Sequence, residues 1–255
     1  MTKRQPSVFE VYAHEYDLIT NAAQREKNHA KEVAAIIDRF KPTRVLDAGC
    51  ATGLTTLLFA RSGIGAVGID RSRPILKTAR QTRGHKSLPI EFKQARFEQL
   101  PKSMTETFDL VVCLANSISG VDTIANLNQT LRNFYRVLRP GGHLVLQMLN
   151  YAAIKNETLF PIKATENNGV VYERFSERQG KSLFIYVSRA DFNAKPPKLE
   201  VFRHQFDNFE VEQVQRSVHR AGFAYIRKFG DLQFSKRFGK KSRDLVITGK
   251  KPQTV

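Results

Sequence analysis

The chain has 255 residues, a length that suits one α/β domain with an elaboration and a substantial core. Its composition, 41% hydrophobic and 25% charged, is ordinary for a globular protein, with no run of membrane-span length and no signal-peptide core ahead of Asp17. Forty-one Lys and Arg against 24 Asp and Glu give +17, of which residues 71–102 carry +7 and residues 216–251 carry +9. Such a field favours anionic partners, although charge runs of this kind are also common as plain solvated surface. The two cysteines, Cys50 and Cys113, can build neither a disulfide framework nor a four-ligand zinc site, so a cytoplasmic setting without a bound metal is expected.

Residues 7–40 carry helical spacing, with Ala30, Val33, Ala34, Ile36, Ile37 and Phe40 in register and Pro42 as the stop. Phe9, Tyr12 and Tyr16 read as one packed face of the same helix. Residues 44–54, Arg-Val-Leu-Asp-Ala-Gly-Cys-Ala-Thr-Gly-Leu, read as a buried strand, a glycine turn and a helix start. A strand that runs straight into a helix leaves free amide N–H groups at the turn, which suits a polar or anionic ligand. A dinucleotide fingerprint would need glycine where Ala51 and Leu54 stand, and a phosphate-cradling loop would need a Gly-Lys-Ser/Thr ending that is absent.

Residues 66–70 form a second parallel strand ending on Asp70, an acidic side chain placed to accept from both hydroxyls of a ribose. Residues 90–97 are a third strand and its exit. Residues 108–117 are a fourth, apolar throughout as a sheet covered on both faces requires; Asn116 and Ser117 at its far end either orient a ligand or cap the loop. A helix over residues 127–138 stops at Arg139-Pro140-Gly141-Gly142, and residues 143–149 follow as a fifth strand that opens on a structural His143. From residue 151 to 209 the pattern changes. Residues 170–175, 182–189 and 198–206 alternate apolar and polar around Gln179-Gly180 and Lys195-Pro196-Pro197, as antiparallel strands joined by turns. An amphipathic helix over residues 211–221 and an antiparallel pair, residues 222–226 with 244–248, close the chain.

Three motifs occur in order: Asp-Ala-Gly-Cys-Ala-Thr-Gly from Asp47, Asp70 seventeen residues beyond Gly53, and Leu-Arg-Pro-Gly-Gly-x-Leu from Leu138. Together they resemble the class I S-adenosylmethionine-dependent methyltransferases. The resemblance implies an α/β fold: a Rossmann-like, seven-stranded, mostly parallel sheet with helices on both faces, an N-terminal helical cap and an antiparallel β lid insertion. A single domain is expected, with residues 1–41 as the cap, 42–150 as the cofactor-binding core, 151–209 as the lid and 210–255 as the closing helix and strands. The insertion resembles the lid of the glycine and sarcosine N-methyltransferases and of sugar N-methyltransferases, which makes Tyr172, Arg174, Tyr186 and His204 pocket candidates.

By that resemblance, Asp47, Ala48, Gly49 and Gly53 hold the methionine part of S-adenosyl-L-methionine, and Asp70 and Arg71 the ribose. Ala95, Arg96 and Phe97 surround the adenine, Leu114 is a further cofactor-binding residue at the far end of the fourth strand, and Tyr16, also cofactor-binding, belongs to the roof. Two positions depart from the family pattern. Ala51 stands where a middle glycine is common, and Arg96 stands where an acidic residue reads the adenine amino group; a guanidinium only donates, so Arg96 reads as a solvated side chain.

The sulfonium already carries an activated methyl group, so the protein's task is to place a nucleophile in line at roughly 3 Å and exclude water. Little acid–base chemistry is obligatory. Tyr16, His14 and His204 are the candidates to assist, with Asn116 to orient. Neither an Asn/Asp-Pro-Pro-Tyr/Phe motif nor a Pro-Cys nucleophile is present, which counts against methylation of DNA bases. The expected reaction is methyl transfer to a nitrogen or oxygen of a small molecule, with an anionic one suiting the charge. An RNA methyltransferase using its basic surface is the second reading, and a noncatalytic S-adenosylmethionine-binding protein the third. A monomer or homodimer that needs no membrane is expected.

Overall fold

The structure, a computed structural model, describes residues 7–83, 87–156, 158–207 and 209–253; residues 1–6 of the expected cap and residue 208 of the expected lid lie outside it. The cap consists of α1 (Val8–Val11), α2 (Tyr16–Thr20) and α3 (Ala22–Phe40). The core follows as β1 (Arg44–Ala48), α4 (Leu54–Arg61), β2 (Gly65–Asp70), α5 (Arg73–Arg83), β3 (Ile90–Gln94) and β4 (Phe108–Cys113). It continues through α6 (Ile124–Val137) and β5 (Leu138–Leu149). A second sheet contains β6 (Leu159–Asn167), β7 (Val170–Gln179), β8 (Ser182–Asp191) and β9 (Lys198–Asp207). The chain closes with α7 (Val211–Arg220), β10 (Ala224–Phe229) and β11 (Asp244–Lys250). No helix among the described residues is long and apolar enough to cross a membrane.

The main sheet has the order β10-β11-β5-β4-β1-β2-β3. β1 to β5 pair in parallel, and β11 runs antiparallel between β5 and β10. Both faces are covered, as the apolar strands demand. Leu46, Val111 and Leu144 point toward α6 and α7, while Val45, Leu110, Val112 and Val145 point toward α3 and α4. The strand order reverses at β1, so β2 and β4 diverge from it and open a crevice at their carboxyl ends.

Three expectations need correction. The helical pattern over residues 7–40 is broken twice, by a 3₁₀ turn at Ala13–Glu15 and by Asn21, whose left-handed backbone (φ 54°) and side chain, accepting from the Gln24 N–H at 3.2 Å, start α3 afresh. Phe9, Tyr12 and Tyr16 therefore share no helical face: Phe9 packs on Tyr16, and Tyr12 turns to Tyr172 and Phe202 of the second sheet. The fifth strand starts at Leu138, and the Arg139-Pro140-Gly141-Gly142 turn is a bulge within its pairing to β4. Finally, β6 escaped the reading because it is an edge strand exposed along nearly its whole length, with no alternation to betray it and a proline that an edge tolerates.

Candidate active site

A cavity of about 990 Å³ opens at the carboxyl ends of β1, β2 and β4, with the cap above it and the second sheet across it. The turn after β1 shapes its floor. The N–H groups of Gly49 and Cys50 donate to the Ile69 carbonyl at 2.8 and 3.0 Å, binding the turn to β2. Gly49 (φ 82°) has room for no side chain: a Cβ there would come within 2.6 Å of Ser117. Ala51 adopts the left-handed conformation (φ 49°) that its missing glycine would have taken, so the departure in sequence does not open the turn.

Two carboxylates flank this floor. Asp70 accepts from the Ala51 N–H (3.1 Å) and the Ser72 N–H (2.8 Å), and burial pushes its pKa up against those bonds. Asp47 is 3% exposed and accepts the Thr56 hydroxyl at 2.6 Å. Burial raises it to about 6, with the Asp70 charge adding to the shift and the Thr56 bond opposing it.

The predicted residues separate clearly. Tyr16, Asp47, Gly49, Asp70, Arg71, Ala95, Arg96, Phe97 and Leu114 line the cavity. Ala48 is fully buried in the sheet, and Gly53 (φ 82°) lies behind the turn, where Phe92 fills the space a side chain would need. Neither borders the cavity. Among the residues expected to assist, His204 and Asn116 line it, whereas His14 is exposed beside Glu15 and does not. The Asn116 amide is occupied as a brace: Oδ1 accepts from the Leu149 N–H and the Ser119 hydroxyl, and Nδ2 donates to the Tyr151 hydroxyl. Of the lid candidates, Arg174 and His204 reach the cavity. Tyr186 is turned to Glu177, and Tyr172 bonds Glu15 in a network with Arg189.

Several lining residues were not foreseen. Arg25, Asn28, His29 and Glu32 come from α3 at i, i+3, i+4 and i+7, a stripe that sequence alone reads as a solvated face. Glu98, two positions beyond Arg96, brings a carboxylate to the cavity, while Arg96 itself is exposed. Asp244 reaches the cavity from β11, held by the Gln147 amide at 2.7 Å. Burial raises Glu32 to about 7 and also raises Asp244, and the nearby Asp244 charge adds to the Glu32 shift; burial lowers His29 to about 4.

The cap is fastened on both sides. Glu15 pairs with Arg189 of β8 at 3.2 Å and accepts the Tyr172 hydroxyl, and Tyr12 bonds Glu200 of β9 beneath the Arg189 guanidinium, 4.4 Å from its ring centre. Toward the core, Asp17 accepts the Thr52 hydroxyl (2.7 Å) and pairs with Arg83 (2.5 Å), tying the cap to the turn that follows β1.

A seven-stranded sheet of this order, with an acid-flanked glycine turn and a second acid closing β2, defines a class I S-adenosylmethionine-dependent methyltransferase. The chain belongs to the family described as a methyltransferase domain, whose profile matches residues 39–187. It is 25% identical over 229 residues to a glycine/sarcosine N-methyltransferase of Aphanothece halophytica, covering 90% of this chain and 84% of that one. A ubiquinone biosynthesis O-methyltransferase of Alkalilimnicola ehrlichii is 30% identical over 118 residues, 46% of each chain. Among solved structures, an S-adenosylmethionine-dependent methyltransferase from Clostridium acetobutylicum superposes with a TM-score of 0.77 at 16% identity, covering 96% of this chain and 99% of that one. An amino pentose methyltransferase from Micromonospora echinaspora, solved with S-adenosylmethionine bound, gives 0.73 at 20% identity over 97% and 99%.

Proposed function

We propose that the chain methylates a nitrogen, or failing that an oxygen, of a small acceptor carrying an anionic group, and that Arg174 recognises that group. The observation behind this reading is a guanidinium on β7 that lines the cavity with its Nε buried and without a hydrogen-bond partner. It forms no ion pair among the described residues, and burial, with Arg25 nearby, pushes its pKa down. A half-buried cation without an anionic partner is costly, and a carboxylate or phosphate on the acceptor would relieve it with two parallel bonds. The similarity to a glycine/sarcosine N-methyltransferase supports a small amine that also bears a carboxylate.

The donor set fits the cofactor. Gly49 admits close backbone approach, and Asp70 keeps carboxylate lone pairs for ribose hydroxyls next to Arg71. Phe97 offers a ring face, and Glu98 an acceptor for the adenine amine. Arg25, bonded to the Thr20 hydroxyl and in no ion pair among the described residues, is assigned to the carboxylate of the methionine part. When bound, S-adenosylmethionine supplies a methyl group activated on a sulfonium. The chain's own residues then orient the acceptor through Arg174, keep water out beneath the cap and lid, and take up a proton: Glu32, near half-ionised at neutral pH, accepts it from an incoming ammonium, with Asp244 beside it. Both cysteines are free and buried, which supports a cytoplasmic setting.

Calorimetry and methyl transfer separate the parts of this reading. Asp70→Ala weakens S-adenosylmethionine binding at least about tenfold, and equal affinity refutes the ribose assignment. Arg174→Gln leaves cofactor affinity within about twofold but lowers labelled methyl transfer into a pool of carboxylated amines, sarcosine first, by at least about tenfold. Undiminished transfer removes the anionic acceptor.

A further inference from the structure

Both basic segments of the chain leave cations exposed once folded, the second more of them than the first. In residues 71–102 Arg83 pairs with Asp17, Arg80 donates to the Phe92 carbonyl at 2.8 Å and Lys93 pairs with Glu91 at 3.0 Å, while Arg73, Lys77, Arg96 and Lys102 are exposed and form no ion pair among the described residues. In residues 216–251, Lys251 pairs with Glu106 at 3.0 Å, but Arg216, Arg220, Lys236, Arg237, Lys240 and Lys241 are exposed and form no ion pair among the described residues. The sheet order puts the two segments at opposite edges, so these six cations of residues 216–241 gather on the β10 side.

That side is built as a track. Arg216, His219 and Arg220 of α7 line a groove of about 520 Å³ against Ile226 of β10, with Glu212 as its one lining carboxylate. β10 then runs toward the rim on which the cavity opens, where Phe229 pairs with Val246, and continues into the loop over residues 230–243. The loop is held in place: Asn150 donates to the carbonyls of Lys240 (3.2 Å) and Ser242 (2.8 Å), Asp231 accepts from Ser235, and Phe234 packs on Phe40 and Phe229. Its lysines and arginines project from this scaffold, and Arg243 at its end borders the cavity mouth. Midway along the track, Tyr225 sits at a break in the β10–β11 register with a left-handed backbone (φ 51°), and the residue is 79% exposed. An edge bulge of this kind re-aims a side chain, and a non-glycine residue holds that backbone at a cost.

We propose that this edge, from α7 across Tyr225 to the loop over residues 230–243, docks single-stranded RNA, with phosphates on the unpaired cations and a base stacked on the Tyr225 ring. Charge complementarity selects a polyanion, and the length of the track selects a strand over a lone phosphate: six residues of β10 alone span roughly 20 Å. An aromatic face between cations is the arrangement that holds unpaired bases without regard to sequence. A membrane surface would call for apolar side chains among the cations, whereas the exposed Phe192, Leu199 and Val201 lie on the lid. The inference is independent of the acceptor, since the strand is held whether or not it is methylated.

Fluorescence anisotropy of the full chain with a labelled, mixed-sequence single-stranded RNA of about 20 nucleotides tests this. Binding should weaken with added salt, with a log–log slope steeper than about −2. Lys240→Glu with Lys241→Glu should lower affinity at least about tenfold, and Tyr225→Ala about tenfold, while calorimetric S-adenosylmethionine affinity stays at the wild-type value and certifies the fold. Arg73→Glu with Lys77→Glu, at the opposite edge, should change neither. No RNA binding at low salt, equal loss from the two lysine and arginine pairs, or tighter binding to phosphatidylserine vesicles than to RNA overturns the docking surface. Full affinity in Tyr225→Ala overturns the stacked base.

Discussion

Asp47 shows how a residue can serve the site at the expense of the fold. Its folded pKa of about 6 lies above the ordinary 3.8, so the folded state binds the proton more tightly than the unfolded chain does. The charged form therefore weakens the protein above pH 6, and the penalty fades as pH falls toward 4. Asp47→Asn, which can still accept the Thr56 hydroxyl, should stabilise the cofactor-free protein at pH 8 by up to about 3 kcal/mol, or roughly 5–10 °C in melting temperature. The gain should vanish near pH 4; an equal gain at both pH values would show that the carboxylate's charge is not the cause. That Asp47 and Gly49 line the cavity was legible because their turn is local, and Asp70 because it ends the neighbouring strand. That Glu98 reaches the cavity was not legible, because the 3₁₀ turn at Phe97–Gln99 that presents it leaves no periodic trace.

At the scale of elements, the cap and lid were each recognisable, but their union was not. Asn21 breaks the expected long helix although the apolar spacing continues through it, because a left-handed cap leaves no trace in periodicity. The freed segment then carries Glu15 to Arg189 and Tyr172, partners that lie 174 and 157 residues away. Arg189 is 8% exposed in its side chain, so removing the Glu15 charge strands a buried guanidinium on Asp191 alone. Glu15→Gln should loosen the cap from the lid, speeding limited proteolysis within residues 12–21 severalfold and weakening S-adenosylmethionine binding, while the far-ultraviolet spectrum is unchanged. Cleavage at the wild-type rate would mean that the latch contributes nothing to closure.

Across the whole molecule, stability is unevenly distributed. β1 and β4 are buried almost end to end, whereas β6 is exposed along most of its length and β9 leaves Leu199 and Val201 in solvent. In hydrogen exchange, the amides of β6 and β9 should therefore exchange well before those of β1 and β4, and bound S-adenosylmethionine should slow exchange in the cap; uniform protection would contradict a lid that opens apart from the core. The charge is uneven too, since the sheet order sends one basic segment to each edge and the second keeps more cations exposed and without an ion pair among the described residues. The amino-acid sequence by itself determined the β–turn–α crossover, the acid at the tip of the second strand, the buried parallel strands and the antiparallel insertion. Each of these follows from short-range demands, a backbone angle or an alternation of burial, that a few neighbouring residues can satisfy. Tertiary structure alone decided which polar groups meet in the cavity: Glu32 from the cap, Arg174 from the lid, and Asp244 held by Gln147 across 97 residues. Those meetings depend on strand order and on how the cap and lid close, and neither is encoded in the spacing of any single segment.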